Sequence, residues 1–69
     1  MRSREVLSAL KSRGCSFRGG KGSHVRATCP CGRHHTTVPN HKGEDLALGT
    51  LRAIQHNLEA CLGKGWLLG

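Results

Sequence analysis

Two spacings organise the apolar positions of this chain. Val6, Leu7 and Leu10 share one face between Ser3 and Gly14, which predicts a short amphipathic helix over 4–13, with Ser3 as its N-cap and Gly14 as its stop. Residues 15–18, Cys-Ser-Phe-Arg, read as a brief strand anchored by Phe17, and Gly19, Gly20 and Gly22 supply the connection after it. From Ser23 the period becomes two: Val25, Ala27 and Cys29 point one way while His24, Arg26 and Thr28 point the other, as in a strand with one buried face. Pro30 and Gly32 mark a turn, and the return run over 33–38 favours a strand through Thr36, Thr37 and Val38 before Pro39 stops it. A loop punctuated by Gly43 and Gly49 leads to Thr50, the expected cap of a second helix. There Leu51, Ile54, Leu58, Cys61 and Leu62 form one apolar stripe that ends at Gly63. Trp66, Leu67 and Leu68 in the tail are expected to fold back onto the body, with an apolar contact for a partner as the sharper reading.

The resulting order, helix, three strands, helix, predicts an α+β fold in which both helices cover one face of a three-stranded antiparallel sheet. His24, Arg26 and Thr28 then lie on the open face. The chain has 69 residues and shows no internal repeat and no long linker, so one domain over 1–69 is expected. A domain of this size buries only about 60% of the surface its unfolded chain exposes, which leaves no room for a deep substrate cavity.

Charge narrows the class of partner. Eleven Lys and Arg against four Asp and Glu give a net +7. The excess is concentrated, because residues 1–42 carry nine basic side chains and one acidic, or +8, while residues 43–69 carry two basic and three acidic, or −1. Such an asymmetric basic surface suits a polyanion such as nucleic acid, or an acidic protein. Phe17 and Trp66 are the only aromatic residues, which argues against a base-stacking platform and for contacts to phosphates and sugars. No apolar run reaches the ~20 residues of a membrane span, and the N-terminal residues lack the pattern of a cleaved leader. A cytoplasmic location, no membrane contact and reduced cysteines are therefore expected.

Two constellations could carry chemistry. Cys29, Cys31, His34 and His35 offer zinc donors at the hairpin tip, but Cys-x-Cys on a strand holds its sulfurs apart unless Pro30 bends them together, and the two histidines face opposite ways. No metal and no cofactor are expected on that spacing, and Cys15 and Cys61 read as core residues. The second constellation is Gly-Gly-Lys-Gly-Ser-His over 19–24. Here Lys21 brings charge, the amides of Gly22 and Ser23 can approach a phosphate oxygen closely, and His24 can move a proton near neutral pH. If the polyanion is RNA, a minimal site suffices, since RNA supplies its own 2′-hydroxyl nucleophile and the protein need only transfer protons and offset charge.

The Gly-Ser-His of 22–24, followed by Thr-Thr-Val-Pro-Asn-His over 36–41 and Gly-Thr-Leu-Arg over 49–52, resembles the HicA toxins of bacterial and phage toxin–antitoxin pairs. Together with the opening helix ending at Gly14, the resemblance spans roughly residues 4–62. It implies a fold like the double-stranded-RNA-binding domain, cleavage of mRNA independently of the ribosome, and inhibition by a cognate HicB-type antitoxin. The catalytic histidine it implies is His24. On this reading Lys21 and Arg26 hold the scissile phosphate, Lys42 and Arg52 make more distant backbone contacts, and His41 is either a second proton carrier or a solvated loop residue. The alternative is an RNA-binding module of the same fold in which His24 is one more surface contact. The cysteine-bearing tip and the tail after Leu62 lie outside the shared pattern.

Overall fold

The computed structural model describes residues 1–19, 24–40 and 43–69. Five elements follow in the expected order: α1 (Ser3–Ser12), β1 (Ser16–Gly19), β2 (His24–Thr28), β3 (His35–Pro39) and α2 (Leu48–Leu62). The strands form one antiparallel sheet in the order β1-β2-β3, so β2 is central and the flanking strands are edges. Pro39 closes β3, at a strand end on an edge where a missing N–H is tolerated.

The start of each helix differs from expectation. Ser3 does not cap α1: Arg2 does, with its backbone N–H donating to the Glu5 carboxylate at 2.9 Å. Ser3 is instead buried in the first turn, where its hydroxyl donates to the Pro39 carbonyl at 2.6 Å and ties α1 to the end of β3. Thr50 does not cap α2 either. That helix begins at Leu48 after Ala47, because Gly49 is accommodated inside the first turn rather than ending the preceding loop. The N-terminal strap adds a bridge between Arg2 and Asp45, with the Leu46 amide donating to the Met1 carbonyl at 2.8 Å.

One face of the sheet meets both helices. Val6 and Leu10 of α1, Ala27 and Val38 of the sheet, and Leu51, Ile54 and Leu58 of α2 form the core, joined by Cys15, Cys29 and Trp66. Phe17 does not anchor β1 in that core; it is 39% exposed, because β1 is an edge strand with all four residues at the surface. The tail does fold back. Trp66 is buried, its indole N–H donates to the Gln55 carbonyl at 2.8 Å, and the Gln55 side-chain oxygen accepts the Leu67 and Leu68 amides at 3.2 and 2.6 Å. Arg13 closes the clasp from α1: one guanidinium N–H donates to the Trp66 carbonyl at 3.0 Å, and the guanidinium carbon lies 5.8 Å from the ring centroid.

The cysteines depart from the reduced, independent set expected. Cys29 and Cys61 form a disulfide that joins the end of β2 to the last turn of α2, with Cα atoms 6.6 Å apart. The apolar stripe of α2 and the buried face of β2 meet at this corner, which brings together two cysteines that sequence separation hides. Closing a loop of this length removes unfolded-state freedom worth about 3–4 kcal/mol on the chain-entropy model. Cys15 stays a free, buried thiol; burial pushes its pKa up, the Arg13 charge pulls it back and nearby Cys31 adds to the rise.

Candidate functional site

The register of the sheet builds the site. His24 pairs with Pro39, Arg26 lies between Arg18 on β1 and Thr37 on β3, and Thr28 lies between Ser16 and His35. Since Ala27, Thr36 and Val38 are buried on the helical side, the two-residue alternation puts His24, Arg26 and Thr28 on the other face, together with Arg18, Thr37 and His35. His24 and Arg26 are both exposed. This is the polar face that the alternation of 24–29 predicts.

Arg18 and Arg26 are directly opposite each other on neighbouring strands, a placement that costs free energy in a bare sheet because like charges repel. Neither has a carboxylate partner among the described residues, whose ion pairs join Met1 to Asp45 and His56 to Glu59. With Ser16, Phe17 and Thr28 they border one shallow depression. Two unneutralised guanidiniums side by side present planar N–H donors that phosphates and carboxylates both accept in a bidentate way.

A second, open groove runs along the other edge. It is lined by His24, His35, Thr37 and Pro39 of the sheet and by Gly49, Thr50, Ala53 and Asn57 of α2, with a volume of about 690 Å³. Asn57 fixes the position of α2 against β3 by donating to the Thr36 hydroxyl at 3.1 Å. His24 thus borders the groove while sharing a face with the arginine pair. Its side chain makes no hydrogen bond to another described residue. The groove is open and mixed in character, with Pro39, Ala53 and Ile54 beside the polar side chains, and the arginine pair lies on the same sheet face as His24 at its edge.

The other expected contacts fall differently. Lys21, Gly22, Ser23, His41 and Lys42 lie outside the described residues. Arg52 is exposed on α2 but does not line the groove, since the side of the helix bearing Gly49, Ala53 and Asn57 is the one turned to it. Arg18 was missed by sequence reasoning, although alternation from Phe17 carries the signal: with Phe17 on the helical face, Arg18 must take the open one. His35 was missed as part of a groove because only the packing of α2 against β3 creates that wall.

No helix among the described residues is long and apolar enough to cross a membrane. Comparison with curated proteins and with solved structures returned no match. A family profile does match, over residues 3–61, and its description is the HicA toxin of bacterial toxin–antitoxin systems. That span takes in all five elements up to the last turn of α2 and leaves out residues 1–2 and 62–69, and on it the chain belongs to the HicA toxin family.

Proposed function

We propose that this toxin is an endoribonuclease that cleaves mRNA independently of the ribosome, with the whole chain acting as one domain and His24 as general acid or base at the scissile phosphate. The observation that carries the reading is the juxtaposition on one sheet face of the exposed His24, of Arg26 two residues along β2 and of Arg18 opposite Arg26, neither arginine having a carboxylate partner among the described residues. RNA brings the 2′-hydroxyl. As its oxygen attacks phosphorus and the bond to the 5′-oxygen breaks, a proton leaves the first oxygen and another reaches the second. An imidazole, with a reference pKa of about 6.5, serves either transfer at neutral pH. Arg26 and Arg18 offset the charge that builds on the phosphoryl oxygens. Lys21 and the amides of Gly22 and Ser23, just before His24 in the chain, are assigned to the same phosphate, and Lys42 and Arg52 to flanking backbone.

A toxin of this family has a cognate antitoxin. We assign it to the HicB type and place it over the basic sheet face, where it blocks RNA by occupying the phosphate contacts.

The test incubates the purified chain with a long RNA and, separately, induces the chain alone in cells. Defined RNA fragments and growth arrest, relieved by the antitoxin, are expected. Tight RNA binding without fragments would favour the binding module. The arginine pair makes its own prediction. Arg18→Ala and Arg26→Ala should each weaken binding of RNA irrespective of its sequence and lower the slope of log affinity against log salt by about 1. A salt series read by fluorescence anisotropy checks this, and unchanged slopes would remove the pair from the interface.

A further inference from the structure

The hairpin turn gathers sulfur that RNA cleavage does not use. Cys29 is buried just after β2, Cys31 is exposed in the turn, Cys61 is half-buried at the end of α2, and their three Sγ atoms all lie within 4.8 Å of one another. The Cys29–Cys61 disulfide leaves Cys31 as a free thiol beside it. A staple needs only two sulfurs. A third at this range is a liability to it, since a neighbouring thiolate can attack the bond.

Local geometry suits an ion. The spacing argument against zinc assumed an extended Cys29-Pro30-Cys31, but residues 30 and 31 form a turn that folds the two sulfurs together. Gly32, at φ 74°, continues the turn, with its amide donating to the Cys29 carbonyl at 2.8 Å. The next amide, of Arg33, donates to the Cys31 sulfur at 3.5 Å. Outer hydrogen bonds of this kind orient metal-bound ligands. Zinc–sulfur bonds of about 2.3 Å in a tetrahedron set ligand sulfurs about 3.8 Å apart, inside the spread observed.

We propose that the reduced chain binds one Zn²⁺ through the thiolates of Cys29, Cys31 and Cys61, clamping the hairpin turn to the end of α2. Reduction of the disulfide takes two electrons and two protons from an external dithiol, which leaves as its own disulfide. Zn²⁺ then displaces the protons of three thiols into solvent. The fourth position goes to water. An all-sulfur set of this kind selects zinc over the hard cations magnesium and calcium. Disulfide and ion are alternative closures of one corner, and neither depends on the nuclease reading.

The experiment reduces the full chain with a dithiol, removes the dithiol anaerobically and adds one equivalent of zinc before gel filtration and metal analysis. About one zinc per chain is expected to stay bound, and a chelator should lower the melting temperature. Cys31→Ser keeps both sulfurs of the disulfide and changes an exposed residue. It should bind zinc more than about 100-fold more weakly, beyond what loss of an outer-shell partner costs, and its melt should ignore the chelator. Cobalt added to the reduced wild type provides a readout without any variant, through a thiolate-to-cobalt absorption band. Wild type that retains no zinc, a missing cobalt band, or zinc binding by folded Cys31→Ser equal to wild type would each overturn the site.

Discussion

His24→Ala is expected to slow RNA cleavage by about 10²- to 10⁴-fold while leaving RNA affinity nearly unchanged. The size follows from the role: a positioned general acid or base contributes about that factor to a proton transfer in the transition state. The split follows from position. His24 is an exposed residue at the start of β2, so truncation removes no core contact and leaves the sheet register intact. The phosphate contacts proposed on the same face, Arg18 and Arg26, are retained in the variant. Cleavage rate and anisotropy measured on the same preparation, with circular dichroism to confirm the fold, separate the two effects. Parallel loss of rate and affinity would make the histidine an adhesive contact. Undiminished cleavage would move the proton transfer to another group, with His41 the first to substitute.

The largest effect on stability belongs to a residue outside the family profile. Trp66→Ala should destabilise the fold by about 3–5 kcal/mol, the usual cost of emptying a buried aromatic site. A 69-residue chain has a total stability of only about 3–10 kcal/mol at typical values per residue, so the variant removes much or all of it. A fall in melting temperature of at least about 12 °C is the corresponding reading. Trp66→Phe keeps most of the packing but loses the N–H bond to Gln55 and leaves its carbonyl one donor short, and should cost about 1–2 kcal/mol for that bond. Had the tail served only as an apolar handle for a partner, Trp66→Ala would leave the melt unchanged and weaken antitoxin binding. The clasp of Arg13, Gln55 and Trp66 argues for the stability effect.

Periodicity carried the element order because both of its signals are local. The two-residue alternation of 24–29 and the stripe of Leu51, Ile54 and Leu58 each follow from a single element meeting a single core. The caps were misread for a physical reason. Serine and threonine cap helices when exposed, yet Ser3 is drawn inside by the Pro39 carbonyl, a partner 36 residues away that no local window contains. The same distinction divides the site. His24 and Arg26 could be placed on one face from alternation alone, whereas the groove beside His35 exists only because α2 packs against β3. Cys61 was read as a core residue because its helical position is apolar; its approach to Cys29 is a property of how α2 crosses the hairpin.

The Cys29–Cys61 bond also changes what a protease can do to the oxidised chain. Residues 29–61 become a covalent ring holding β3 and nearly all of α2, while α1, β1 and β2 enter as one arm and the tail leaves as another. One cut anywhere between residues 30 and 60 opens the ring but releases nothing, and the nicked toxin keeps its full mass until a reductant is added. One cut between α1 and β2 leaves the first helix held by packing alone, so under denaturing, non-reducing conditions the same number of broken peptide bonds gives an intact-sized molecule in one half of the chain and two separate pieces in the other.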